Sequence, residues 1–272
     1  DLHGRYPDIL KDAVVGVQAT ELFEDAQKVL KRIISEKLLQ AKAVFGLFEA
    51  NTINDDDIEI GHPEPVEGQK KIFRTLRQQS KKAAGKPNIA LADFIAPKET
   101  GIQDYIGCFC VTTGFGADEL AAGFRAENDD YNSIMVKALA DRLAEAFAEY
   151  LHQRIRKEDW GYANTETWSN DELIKEKYKG IRPAPGYPAC PDHLEKETIW
   201  EILNVAETIG VTLTESLAMW PAASVSGYYF ANPEARYFGL GKIKEDQVAD
   251  FASRKGIPLE KATKWLATNI AD

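Results

Sequence analysis

The sequence predicts an α+β protein built on an antiparallel sheet. Three observations carry this. Strand-like segments come in groups separated by helical ones. The regular strand–helix–strand alternation that a doubly wound parallel sheet requires is missing. The 272 residues, 44% hydrophobic and 28% charged, suffice for one substantial core. With no internal repeat, low-complexity segment or long linker, residues 1–272 read as a single domain.

Taken in order, residues 21–39 place Leu22, Phe23, Ala26, Val29, Leu30 and Ile33 at helical spacing. The compact apolar run 43–48 predicts a buried strand, Asn54-Asp55-Asp56-Asp57 a turn, and Ile58-Glu59-Ile60 the start of another strand. A basic helix with a solvated charged face is expected over 69–83, ending near Gly85-Lys86-Pro87. Strands follow at 89–94 and 105–112. A long helix spans about 129–156, with Tyr131, Ile134, Met135, Ala138, Leu143, Ala146, Phe147, Tyr150 and Leu151 as its buried stripe. Asp129 and Asp130 begin that helix and Arg154, Arg156 and Lys157 end it, as its dipole favours. A short helix over 170–178 leads into a proline-rich loop. A further helix over 194–208 stops at Gly210, and strands at 224–230 and 235–243 precede two terminal helices.

The net charge of -10 argues against a nucleic-acid binder and for a partner with a cationic face. No apolar run approaches a membrane span, and no signal peptide is visible. Three cysteines do not make a disulfide framework, which points to the cytoplasm, and Cys108 and Cys110 alternate in an apolar run as buried strand residues do. A chain opening Asp1-Leu2-His3 reads as a piece of something larger. The four histidines, His3, His62, His152 and His193, lack metal-ligand spacing.

Two features stand out chemically. Arg182-Pro183-Ala184-Pro185-Gly186-Tyr187-Pro188-Ala189-Cys190-Pro191-Asp192-His193 contains four prolines, which fix φ and remove backbone donors. Such a loop orders at little entropic cost and is expected to present carbonyl oxygens that cannot all pair internally. Arg182 at its start offers a planar fork suited to a carboxylate. The combination suits an amino acid joined to an adenine. A rigid connection, or a PxxP peptide ligand, would explain the same prolines. The second feature is Asp141, Glu145 and Glu149, spaced i, i+4 and i+8 on the long helix. Such a carboxylate line is either a solvated edge, relieved by Arg142, or a face turned toward a cation. Thr113-Gly114-Phe115-Gly116 lacks the full dinucleotide fingerprint and reads as a helix start.

The stretch from Gly180 through Arg182-Pro183-Ala184-Pro185-Gly186-Tyr187 to His193 resembles the signature loop of the methionine synthase activation domain. So do Leu91-Ala92-Asp93-Phe94-Ile95-Ala96-Pro97, the segment Asp129–Ala146, and Ala218–Gly227 with Gly241-Lys242-Ile243 and Asp246-Gln247. The resemblance spans essentially the whole chain and implies a C-shaped α+β domain around a twisted antiparallel sheet with flanking helices. It implies a module that binds S-adenosylmethionine and presents its methyl group to cob(II)alamin, reactivating an enzyme that moves methyl from methyltetrahydrofolate to homocysteine. The isolated domain is then part of a methyltransferase without turnover of its own.

By position, the resemblance assigns Arg182 to the ligand carboxylate, Ala184 and Tyr187 to the adenine side, and Tyr237 and Phe238 to closing the pocket. Glu145 and Glu176 would lie near the amine and sulfonium. Cobalamin and zinc belong to other modules. The partners implied are the cobalamin module and a flavodoxin or flavoprotein reductase, with the domain monomeric. Family members carry a ligand-binding aspartate just upstream of Tyr6-Pro7, which would fall before Asp1 and implies weakened affinity. The competing expectations are a flavoprotein-docking module without ligand chemistry and a self-sufficient methyltransferase.

Overall fold

A computed structural model describes residues 3–61 and 70–271. His62 and the opening Asp1-Leu2 of the sequence reading lie outside them. The order of elements is α1 (Gly16–Glu36), β1 (Gln40–Ile53), β2 (Asp57–Ile60), β3 (Lys71–Arg74), β4 (Asp104–Phe115), α2 (Ala117–Ala126) and α3 (Asp130–Arg154). Then come α4 (Asn170–Ile174), α5 (Glu195–Leu203), α6 (Val205–Ile209), β5 (Thr212–Leu213), β6 (Met219–Trp220), β7 (Ser224–Tyr229), α7 (Glu245–Lys255) and α8 (Leu259–Leu266).

Five strands form one sheet in the order β3-β2-β1-β4-β7, and every pairing is antiparallel. The expected α+β class with flanking helices is therefore found. β5 and β6 form a separate two-stranded hairpin that the sequence reading missed. The strand period of two divides β4 and β7 between two cores. Ile106, Cys108 and Cys110 of β4, with Tyr228 of β7, face a core closed by Ile199, Leu203 and Val205 of α5 and α6. Phe109, Val111 and Tyr229 face the other way, onto Ala148, Leu151 and Ile155. β4 is thus covered on both faces, which is why it reads as an unbroken apolar run.

The long helix is present, with Asp129 capping it by accepting from the Asn132 amide at 2.9 Å. It continues into a π-helical turn, Ile155–Asp159. Its buried stripe is only partly the expected one: Met135 and Leu151 are buried and Leu143 and Phe147 half-buried. Tyr131, Ile134, Ala138, Ala146 and Tyr150 are exposed, whereas Val136, Ala140, Ala144 and Ala148 are buried. The sequence reading weighted large side chains. The helix instead packs through alanines against Ala117 and Ala121 of α2 and Ala223, an approach that bulky residues would prevent.

Four other expectations give way. Residues 71–74 form edge strand β3 rather than part of a helix, because Phe73 is needed in the core against Tyr228, ring centroids 4.8 Å apart. Past β3 the chain is irregular, and Arg77 is not a solvated charge: it bonds Asp56 at 2.8 Å and Asp93 at 2.7 Å. Residues 91–94 form a 3-10 turn, not a strand, because the Asp93 carboxylate accepts from the Ala90 amide at 2.9 Å and so competes with a sheet ladder. The helix over 194–208 is broken at Asn204, which is left-handed with φ 47. Residues 235–243 form no strand. Their backbone bonds go elsewhere, Leu240 N to Pro188 O at 2.7 Å and Ile243 N to Asn269 O at 2.8 Å. α7 and α8 pack on Leu76, Leu240 and Ile243 in a satellite cluster.

Candidate ligand-binding site

The proline-rich segment runs beside β7 as an irregular outer strand. Ile181 and Phe230 exchange backbone bonds of 3.0 and 3.1 Å, and Tyr228 N donates to Pro183 O at 2.9 Å. Gly227 permits this approach, since a Cβ there would stand 2.5 Å from Pro183 O. The segment then folds into a tight loop. Gly186 N donates to Cys190 O at 2.8 Å and Cys190 N to Tyr187 O at 2.9 Å. Gly186 has φ +93, and a Cβ on it would meet the His193 ring at 2.2 Å.

The expectation that the loop carbonyls cannot all pair internally is met: those of Arg182, Pro185, Gly186, Ala189 and Pro191 have no partner among the described residues. Ala184 O accepts from Tyr187 N at 3.1 Å and Cys190 Sγ at 2.8 Å, and the carbonyls of Pro183, Tyr187, Pro188 and Cys190 are paired as well. The tight turn supplies donors from its non-proline residues to some of the loop oxygens and leaves the rest open.

An open cleft of about 490 Å³ lies between this loop, α3, the turn after α4 and the 237–238 segment. It is within the range of small-molecule sites. Arg182, Ala184, Tyr187, Tyr237, Phe238, Glu145 and Glu176 all line it. Pro183, Pro188, Ala189 and Val225 complete the wall, and no ligand contact was expected of them individually. Tyr187 and Tyr237 are 60% and 42% exposed, large apolar rings held at the surface beside a concavity. Glu176 adopts φ 52, a conformation a side chain rarely takes, at the cleft wall.

Arg182 sits on the floor, its side chain 15% exposed. Its backbone N donates to Tyr237 Oη at 2.9 Å, tying the loop to the 237–238 wall. Its Nη1 donates to Glu149 Oε2 at 3.1 Å and lies 3.2 Å from His152 Nδ1. Burial opposes the charge of Arg182, but Glu149 and the surrounding tyrosines more than offset it and raise its pKa. Beneath lies Arg156, fully buried. Its guanidinium bonds Glu166 through Nε at 3.1 Å and Nη2 at 2.9 Å and stacks 3.8 Å over the Tyr178 ring. Burial, then Arg156 and Arg182, push the His152 pKa well down, so the ring is neutral.

The carboxylate line on α3 is therefore divided. Glu149 is an ion-pair partner, Glu145 lines the cleft and Asp141 is exposed. No sequence signal pointed to Glu149 as the partner of Arg182, or to a place at the site for His152, Tyr178 and Arg156. The i+4 step from Glu145 set Glu149 on the same edge and no more. Arg156 had been assigned to the helix dipole.

Among the described residues no group of three or more His, Cys, Asp or Glu could hold a metal ion, and no helix is long and apolar enough to cross a membrane. Cys108 and Cys110 are buried and their thiol pKa values are raised by that burial, Cys110 to about 12. Neither is an activated nucleophile.

A protein-family model described as the vitamin B12 dependent methionine synthase activation domain matches residues 1–256. The chain is also similar to a solved structure, the crystal structure of the MetH reactivation domain bound to AdoHcy. The two are 55% identical with a TM-score of 0.94, over 100% of this chain and 83% of that one.

Proposed function

The chain belongs to the activation-domain family of vitamin B12 dependent methionine synthase, and on that premise we propose that its cleft binds S-adenosylmethionine and presents the methyl group to the corrinoid. The observation carrying this reading is the polarity of one cleft: a half-buried arginine on the floor, two carboxylates on the wall and aromatic rings at the mouth. An amino acid bearing a sulfonium and an adenine has those three chemistries in one molecule. The similar solved structure was obtained with AdoHcy, the demethylated form of such a ligand.

In this reading Arg182 takes the carboxylate through the guanidinium N–H groups that have no protein partner among the described residues. Glu145 and Glu176 carry no ion pair among the described residues and face the cationic amine and sulfonium. The adenine lies toward Ala184 and Tyr187, and Tyr237 and Phe238 close the pocket over it. Phe238 is braced from behind by Phe94, centroids 6.5 Å apart. The bound ligand supplies an electrophilic methyl group. The chain orients it and contributes no acid, base or nucleophile, so we expect no turnover by this domain alone. Cobalamin and zinc sit on other modules in this reading. The cobalamin module and a flavodoxin or reductase are its partners, the domain is a monomer, and the compartment is the cytoplasm.

Calorimetric titration of S-adenosylmethionine into the chain and into Arg182→Ala tests this. The variant should lose about 1.5–3 kcal/mol of binding, the range for a charged hydrogen-bonded pair. Equal affinities would remove the carboxylate assignment, and no binding to either protein would leave only a docking module.

A further inference from the structure

Arg182 enters the cleft already held. An arginine side chain has many rotamers, and ordering one on ligand binding costs affinity. Here Nη1 is taken by two acceptors on α3, Glu149 Oε2 at 3.1 Å and His152 Nδ1 at 3.2 Å. Arginine has no acceptor of its own, so His152 Nδ1 must offer its lone pair, which requires the neutral ring.

Both acceptors are fixed from behind. Glu149 Oε1 is 4.0 Å from Nη1 of Arg156, itself locked on Glu166. Tyr178 Oη donates to Glu149 Oε2 at 3.4 Å. His152 stacks on Tyr229, centroids 4.9 Å apart at 17°, and meets the edge of Tyr178 at 5.1 Å.

The charges balance as well. Arg156 and Arg182 are matched by Glu149 and Glu166, so an incoming anion meets a compensated group of charges. What remains for it is geometry: N–H directions aimed by a rigid floor.

We propose that Glu149 and His152 are positioning residues, which take one guanidinium nitrogen of Arg182 and thereby aim its other N–H groups at the carboxylate of the ligand. This rests on the reading that Arg182 receives that carboxylate. The site then discriminates for a planar carboxylate in one orientation, not for anions at large.

The test is calorimetry with two probes, S-adenosylhomocysteine and S-adenosyl-3-thiopropylamine, which differ by the carboxylate alone. Glu149→Ala and His152→Leu should each weaken S-adenosylhomocysteine about tenfold or more. The decarboxylated probe should weaken by less than about threefold, which also reports that the variant is folded. Glu149→Gln and His152→Asn keep an acceptor near the lost atom and should restore most of the loss. Equal weakening of both probes, or no rescue by the conservative variants, overturns the proposal. Arg182→Ala separates the two claims. If it loses the wild-type discrimination between the probes, the premise holds and the Glu149 and His152 variants alone decide the positioning claim. If it discriminates as wild type does, the premise itself falls.

Discussion

At the start of the proline-rich segment Arg182 pairs with Glu149 at 3.1 Å, and at its end Asp192 lies 3.6 Å from Lys255 Nζ. Both ends are pinned by buried charge, but to different purposes. The rear network is a brace between elements. Lys255 of α7 bonds Glu195 at 2.5 Å, the Arg74 amide donates to Glu195 at 3.1 Å, and Asp57 is paired with both Arg74 and Arg254. It joins the α7–α8 unit to β2, β3 and α5, and its cations Arg74 and Lys255 border a smaller cleft of about 320 Å³. The front network ends in a guanidinium that lines a cleft of about 490 Å³. Similar residues thus hold the fold together at one end and prepare a ligand contact at the other. The difference lies in the wall: Tyr187, Tyr237 and Phe238 line the front cleft, whereas no aromatic ring lines the rear one among the described residues.

The sharpest break of this contrast is Lys255→Met. It strands the buried carboxylates of Asp192 and Glu195 and should cost about 3–5 kcal/mol in urea unfolding, as for a broken buried pair. A cost under about 1 kcal/mol, the range of a surface pair, would put the rear network on the surface in energetic terms. Arg182→Ala should act the other way round. Glu149 keeps Tyr178 and Arg156 as neighbours, so stability should fall by less than in Lys255→Met, while S-adenosylmethionine binding takes the larger loss given above.

Acid distinguishes the two ends by sign. His152 has a folded pKa below its ordinary value of 6.5, so the unfolded chain binds the proton first. Its contribution is present above pH 6.5 and lost as the pH falls below it. Asp192 is the reverse. Burial foremost raises it from 3.8 to about 6, so its charged form is penalised above pH 6 and the penalty is relieved as pH falls toward 3.8. Each slope is about 1.4 kcal/mol per pH unit for one proton. Unfolding free energies measured from pH 8 to 4 should therefore show a shallower acid loss in His152→Gln than in wild type, and a steeper one in Asp192→Asn. Parallel curves would contradict both assignments. The smallest effect belongs to Asp141→Asn, which should leave S-adenosylhomocysteine affinity within about twofold, as expected of an exposed charge outside the cleft.

The parts of the fold legible in sequence were those where one local signal suffices. Strands β1, β4 and β7 announced themselves by apolar content, and α3 by its helical periodicity and its Asp129-Asp130 start. What failed needed tertiary knowledge. Ile72, Phe73 and Leu76 suit a helix face as well as an edge strand, and the core position of Phe73 decides between them. The alanine stripe of α3 carries almost no hydrophobic signal, yet it is the buried face. At the site, Arg182 and the seven-residue expectation converge on one cleft, but five of those residues were named by resemblance. Composition and spacing alone reached the arginine loop and Glu145. Glu149 and His152 were hidden because their partner, Arg182, lies 33 and 30 positions away.

The most direct test is a crystal structure of the chain with S-adenosylhomocysteine. The carboxylate should lie about 2.7–2.9 Å from a guanidinium nitrogen of Arg182, with Nη1 still on Glu149 and the adenine between Tyr187 and Tyr237. A ligand seated outside the cleft, or a carboxylate turned toward Glu145 and Glu176 with Arg182 untouched, would contradict the account.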